Sequence, residues 1–236
     1  MSPVVFRQTL KLGRTGLAWY GLATLLVLAS GVLGYNAMGG MNADTMRDLV
    51  RQLPPALLTA FQLGLDSFAS KVGFVSARSL SMMWPVLMIA FVGGAAGGVA
   101  AMVERGTIHF ELSLPVSRAR WLASRVLAGL TGMAAIVLLT VAVLYLYEPG
   151  AAWWRFGVLG AAFGFMWLGV AFAVAAFQRD RAAVSGIVFG LFGVQFILPT
   201  IATIDPERLD FLKSLTVWTA YRPQGIVTDG VEWGTV

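Results

Sequence analysis

The chain has no cysteine, a single histidine and little charge. Without cysteine there are no disulfides, no thiolate metal sites and no cysteine nucleophile. His109 is the only histidine, so histidine metal clusters and catalytic triads built on any other histidine are excluded. Charged residues make up 12% of the 236 positions, against about 25% in soluble domains. That length would allow one or two soluble domains, but their surface would be starved of charge. Also missing is any G-x-x-x-x-G-K-[ST] sequence, so this chain does not hold ATP in a Walker A loop.

What is present is apolar: 58% of residues are hydrophobic and the mean hydropathy is +0.76. Charge-free runs cover residues 15–43, 79–103, 126–147 (within a segment 122–147), 156–178 and 182–204, each of at least 22 residues. A helix rises about 1.5 Å per residue and needs roughly 20 residues to cross about 30 Å of hydrocarbon. The expected fold is therefore an all-α membrane protein, one transmembrane domain over 1–236 with five transmembrane helices. The first run begins near Thr15 and is too long for a signal-peptide core, so no cleavable signal is expected.

The loops set the orientation. With the N-terminus in the cytoplasm, the inside segments 1–14, 104–125 and 179–181 hold nine Lys/Arg against Glu104, Glu111 and Asp180. The outside segments, about twice as long, hold eight basic and nine acidic residues. Short basic loops stay inside, so the net charge of +5 reflects topology and no nucleic-acid partner is expected. Five spans then leave the C-terminus outside, and a sixth span is expected beyond residue 236.

The outer segments are 44–78 and 205–236. In the first, Thr45 and Asp48 have capping-box spacing, and Met46, Leu49, Val50 and Leu53 recur at helical spacing. This predicts an amphipathic helix on the outer surface, ending before Pro54-Pro55. The second has the same mixed character.

Within the spans, Gly93 and Gly97, Gly94 and Gly98, Gly160 and Gly164, and Gly186 and Gly190 lie four apart. Such pairs let helix backbones approach closely in lipid, within one subunit or across a dimer face. No ionisable residue sits at a span centre, where a charge costs about 2.5–3.5 kcal/mol and usually marks an ion route. This argues against a proton-coupled transporter or an ion pump. Gln195 is the most polar residue near a span centre, bonding between helices or facing a hydrated cavity. Trp84, Phe91, Met166 and Trp167 are candidates, with Gln195, for an apolar substrate path, unless they pack or face lipid. "AVSG" around Ser185 is faintly like a serine nucleophile, but no membrane acid or histidine could serve as its base.

The long charged interruption is "ERGTIHFELSLPVSRARW", residues 104–121. Ile108, Phe110, Leu112 and Leu114 alternate with His109, Glu111 and Ser113, a strand period. A lone strand has nothing to pair with here, and a short helix fits equally, with Pro115 ending it and Ser117 placed to cap the next helix. Either way it presents apolar teeth between charged flanks, or it is simply a basic inside loop.

"MVERGTIHFELSLPVSRARWLASRVLAG" resembles the loop between spans two and three of type 2 ABC transporter permeases. "LPPALLTAF" and "SFASKVGFVSARSLSMMWPVL" are similar to the same family's outer segment and the start of its second span. The layout extends over roughly residues 5–230. The family's acidic run before Arg-Gly-Thr is reduced here to Glu104, and its six spans are five. The resemblance implies the permease subunit of an ATP-driven exporter in the bacterial cytoplasmic membrane, moving a small hydrophobic or amphipathic compound. It implies a second permease subunit and two copies of a nucleotide-binding ATPase subunit, which would bind the ATP and Mg; no cofactor is expected in this chain. Residues 104–118 would be the coupling element, with Glu104, Arg105, Thr107, Phe110, Leu112, Leu114 and Pro115 meeting the ATPase. "FRQTLKLGRTG" resembles the family's cytoplasmic interface helix within 1–14, with Phe6, Leu10 and Leu12 in the headgroup zone and Arg7, Lys11 and Arg14 outside it. The chain would then be a transport subunit rather than an enzyme. The rival reading is a non-transporting membrane scaffold or assembly factor.

Overall fold

A computed structural model describes residues 2–37, 48, 51–54, 57–58, 70–113 and 115–228, with Leu112 by its backbone alone. The amphipathic helix expected over 45–53 lies largely outside these residues.

Helix α1 runs without a break over Pro3–Ala37. Proline suits a first helical position, where its missing N–H would have no partner. The expected interface helix and first span are thus one helix, and residue 14 marks a change of chemistry rather than of backbone. Gly13 and Gly16 each cost about 1 kcal/mol in a helix interior, too little to stop a helix already propagating on both sides.

The second long run begins at α2, Lys71–Val75, where the Ser70 hydroxyl accepts the Gly73 N–H at 3.0 Å. It passes through a π-helical stretch, Ser76–Met83, into α3, Trp84–Glu104. The span therefore starts upstream of the expected residue 79. Lys71 and Arg78 are exposed, and long basic side chains keep their charge in water while their stems lie on apolar surface.

A five-residue helix α4, Ile108–Leu112, follows, then α5, Arg118–Tyr147, and α6, Trp153–Phe177. Helix α7, Arg181–Ile201, carries Pro199 near its end. At its start the Asp180 carboxylate accepts the N–H groups of Ala182 and Ala183 at 2.9 and 3.2 Å, which satisfies orphan donors and opposes the positive end of the helix dipole. Short helices α8 (Pro206–Leu209) and α9 (Phe211–Ser214), a 3-10 turn (Val217–Thr219) and α10 (Pro223–Thr228) complete the described chain. No strand occurs among the described residues.

Among the described residues, five helical runs, of 35, 34, 30, 25 and 21 residues, are long and apolar enough to cross a membrane. Large apolar side chains such as Leu26, Leu33, Leu138, Phe165 and Phe177 stand exposed on them. Water would penalise so much apolar surface, whereas lipid does not. The chain is an all-α, multi-pass membrane protein.

Packing divides it into two compact units. The first comprises Met1–Ala23, Leu87–Leu139 and Gly160–Leu191; the second comprises Thr24–Val86, Thr140–Leu159 and Phe192–Val236.

In the first unit, α3 and α7 approach over Gly93 and Gly97. A Cβ on Gly93 would lie 3.6 Å from the Ser185 backbone, and one on Gly97 would lie 3.1 Å from the Arg181 side chain. This glycine pair therefore serves packing within the chain. Gly164 is as tight: a Cβ there would come within 2.6 Å of the Met133 sulfur. Gly186 and Gly190, by contrast, face open space. The Tyr20 hydroxyl donates to the Ala90 carbonyl at 2.9 Å, and its ring meets Phe91 edge-on.

In the second unit, Trp84 is fully buried; its indole N–H donates to the Thr140 hydroxyl at 3.0 Å and its ring lies edge-on to Phe156. Trp218 packs against Phe192 and Phe196 and stacks on Tyr221. Tyr221, also buried, donates its hydroxyl to the Leu80 carbonyl inside the π-helical stretch at 2.8 Å.

Candidate functional site

The charged interruption forms an elbow between α3 and α5. Helix α3 ends because Gly106 takes φ +69°, the left-handed conformation that costs glycine nothing. The Arg105 and Gly106 N–H groups close the last turn on the Ala101 and Val103 carbonyls. The Thr107 hydroxyl reaches back to the Met102 carbonyl at 3.4 Å. Of the two conformations open from sequence, residues 108–112 adopt the helix. Ser117 caps α5 as expected, accepting the Arg120 N–H at 3.4 Å.

One carboxylate holds this elbow together. Glu111 accepts the Trp121 indole N–H at 2.6 Å and the Arg125 guanidinium at 2.7 and 2.8 Å. The Arg125 and Glu111 side chains are only 12% and 19% exposed, and the guanidinium lies over the Trp121 ring. A short helix of five residues has little intrinsic stability, so this clamp is what fixes α4 to the first turns of α5. Ser124, on the same part of α5, accepts the Ser2 N–H at 2.9 Å and so docks the start of α1.

Glu104, Arg105, Thr107, Phe110 and Pro115 are all exposed on the elbow. Phe110 is the extreme case at 78%. The Leu112 side chain and Leu114 lie outside the described residues. Glu104 has a contact within the chain as well: its carboxylate accepts the Arg181 N–H at 3.5 Å, at the start of α7. Glu111, Trp121 and Arg125 were not among the residues assigned to coupling from sequence. The available signal was modest: Trp121 and Arg125 lie one helical turn apart, and Glu111 is the only acid of the interruption besides Glu104.

The five residues considered for a substrate path are divided between the two units. Trp84 and Gln195 belong to the second unit, and Phe91, Met166 and Trp167 to the first. Gln195 donates to the Leu215 carbonyl at 3.4 Å and accepts the Val217 N–H at 2.9 Å, which pins the turn after α9. The amide thus bonds a turn rather than a neighbouring span. Trp167 is buried beside Phe163, and Met166 is half-buried.

Phe91 does line a cavity, of about 550 Å³, inside the first unit. Leu17 and Tyr20 of α1, small residues of α3 and α5, and three arginines (Arg105, Arg125, Arg181) form its wall. No acidic side chain among the described residues lines it. A pocket of this size, mostly apolar with a few convergent polar groups, has the composition of a small-molecule site. Set against protein-family models, characterised proteins and solved structures, the chain matches none of them.

Proposed function

We propose that this chain is the permease subunit of an ATP-driven ABC exporter in the bacterial cytoplasmic membrane, pairing with a second permease subunit and two copies of a separate ATPase subunit. It moves a small hydrophobic or amphipathic compound by alternating access. The reading starts from the resemblance of residues 104–118 and their flanks to the permease family. The observation that carries it further is the Glu111 clamp, which makes the elbow a rigid projection. Closure of an ATPase on such a projection can bias two arrangements of the spans by a few kcal/mol only if the force is not lost in a slack loop. Phe110, exposed on a helix between two spans, has the character of an interface anchor awaiting an apolar pocket.

Purification from native membranes should bring an ATPase subunit with the chain. Phe110→Ala, which removes an exposed ring and leaves the clamp intact, should lower transport per ATP about tenfold, the cost of losing one interface anchor. Charge reversal at Glu104 is a less clean probe, because its carboxylate also caps α7. A chain that purifies without any ATPase, or efflux indifferent to Phe110→Ala, would favour the scaffold reading.

A further inference from the structure

We propose that the cavity of the first unit binds an anionic phospholipid, with the headgroup phosphate among Arg105, Arg125 and Arg181 and one acyl chain along the glycine-rich wall. The assignment concerns this chain alone and does not depend on the export reading.

Charge is the first argument. Three arginines line one cavity, and no acidic residue among the described residues lines it. Arg125 already bonds the Glu111 carboxylate through one terminal nitrogen, so Arg105 and Arg181 are the two whose charge is left for a ligand. Arg105 and Arg181 make no side-chain ion pair among the described residues; the Glu104 carboxylate meets the Arg181 backbone N–H instead. Guanidinium groups suit phosphate because their donors are planar and paired.

Shape is the second. Arg105 follows the last residue of α3, Arg125 lies in the second turn of α5, and Arg181 begins α7. All three basic groups thus belong to helix ends joined by the two short basic loops. The rest of the wall runs up α3 from Met102 to Phe91, a rise of about 16 Å, close to one leaflet of a bilayer whose core is about 30 Å thick. Along it Gly98 presents open space where a side chain would stand. A soluble anion would fill only the basic end, and a neutral lipophile would leave Arg105 and Arg181 without an ion-pair partner. An amphiphile with an anionic head answers both halves.

The test uses the full chain purified in mild detergent and given phosphatidylglycerol or phosphatidylcholine, with retained lipid counted by native mass spectrometry. Phosphatidylglycerol should be retained preferentially. Arg105→Gln and Arg181→Gln should each weaken its retention about fivefold, the contribution of one basic residue beside an anionic surface. Arg208→Gln, an exposed arginine of the second unit, should change nothing. Gly98→Leu should weaken retention without altering charge, by filling the acyl end. Should the arginine variants fail to purify, the Gly98→Leu comparison decides alone. Equal retention of the two lipids, an equal loss on Arg208→Gln, or full retention by Gly98→Leu would overturn the proposal. Displacement of phosphatidylglycerol by inorganic phosphate at matched headgroup concentration would reassign the site to a soluble anion and overturn the lipid.

Discussion

Glu111 stands ten residues before Trp121 and fourteen before Arg125, and nothing in that spacing announces a contact. The three meet because Gly106 turns the chain back and α4 then lies beside the first turns of α5. Removing one partner of a largely buried charge pair leaves the other desolvated and alone, which costs more than the pair itself contributed. Glu111→Ala should therefore destabilise the protein by about 2–3 kcal/mol, read as a lower unfolding temperature in detergent. Glu111→Gln should recover part of the loss, since an amide oxygen still accepts from Trp121 and Arg125. Equal stability of all three proteins would show that the clamp does not hold the elbow. Glu104 and Phe110 drew a coupling role from the resemblance of residues 104–118 to the permease loop. Glu111 did not, because its role is set by what folds against it.

At the scale of elements, the second helical run shows why local pattern reading succeeds and where it stops. Its apolar length is unmistakable, yet the π-helical stretch Ser76–Met83 within it has no signature in residue order. It sits where the Tyr221 hydroxyl, 141 residues away, donates to the Leu80 carbonyl. Complete burial raises the Tyr221 pKa well above its usual value near 10, by disfavouring the phenolate. The unfolded chain then loses this proton first. Stability contributed here is complete below pH 10 and falls as pH rises past the unfolded value, by about 1.4 kcal/mol per pH unit while only the unfolded form is ionised. Tyr221→Phe should abolish that part of the alkaline slope and cost about 1 kcal/mol at neutral pH for the lost hydrogen bond. Parallel pH–stability curves for the two proteins above pH 10 would disprove the assignment. The elbow shows the same division: the alternation over residues 107–114 was compatible with strand or helix. With no second strand among the described residues to pair with, and with Gly106 and Pro115 bounding it, one short helix is the form that satisfies its own backbone.

For the whole molecule, charge distribution and apolar length carry the topology, and the absence of cysteine makes it directly measurable. A single cysteine placed at exposed Ser113 or exposed Gly150 would be the only thiol in the chain. A membrane-impermeant maleimide should label Gly150→Cys in intact cells and Ser113→Cys only after permeabilisation, as expected if short basic loops stay in the cytoplasm. The reverse pattern would invert the orientation and remove the elbow from the reach of a cytoplasmic ATPase.

Sequence alone determined that this chain belongs in a bilayer. Hydrophobicity is additive along the chain, so five runs of sufficient length declare themselves without reference to one another, and so does the helix start at Ser117, which depends on a few neighbouring residues. Only tertiary structure decided which polar groups answer which. The clamp of Glu111 by Trp121 and Arg125, the packing of Gly93 and Gly97 against α7, the use of Gln195 to pin a turn and the gathering of three arginines at one cavity all join distant segments. In lipid, packing geometry and the satisfaction of buried polar groups, rather than hydrophobicity, select between arrangements of equally apolar helices, and those pairings are not written in any one stretch of residues.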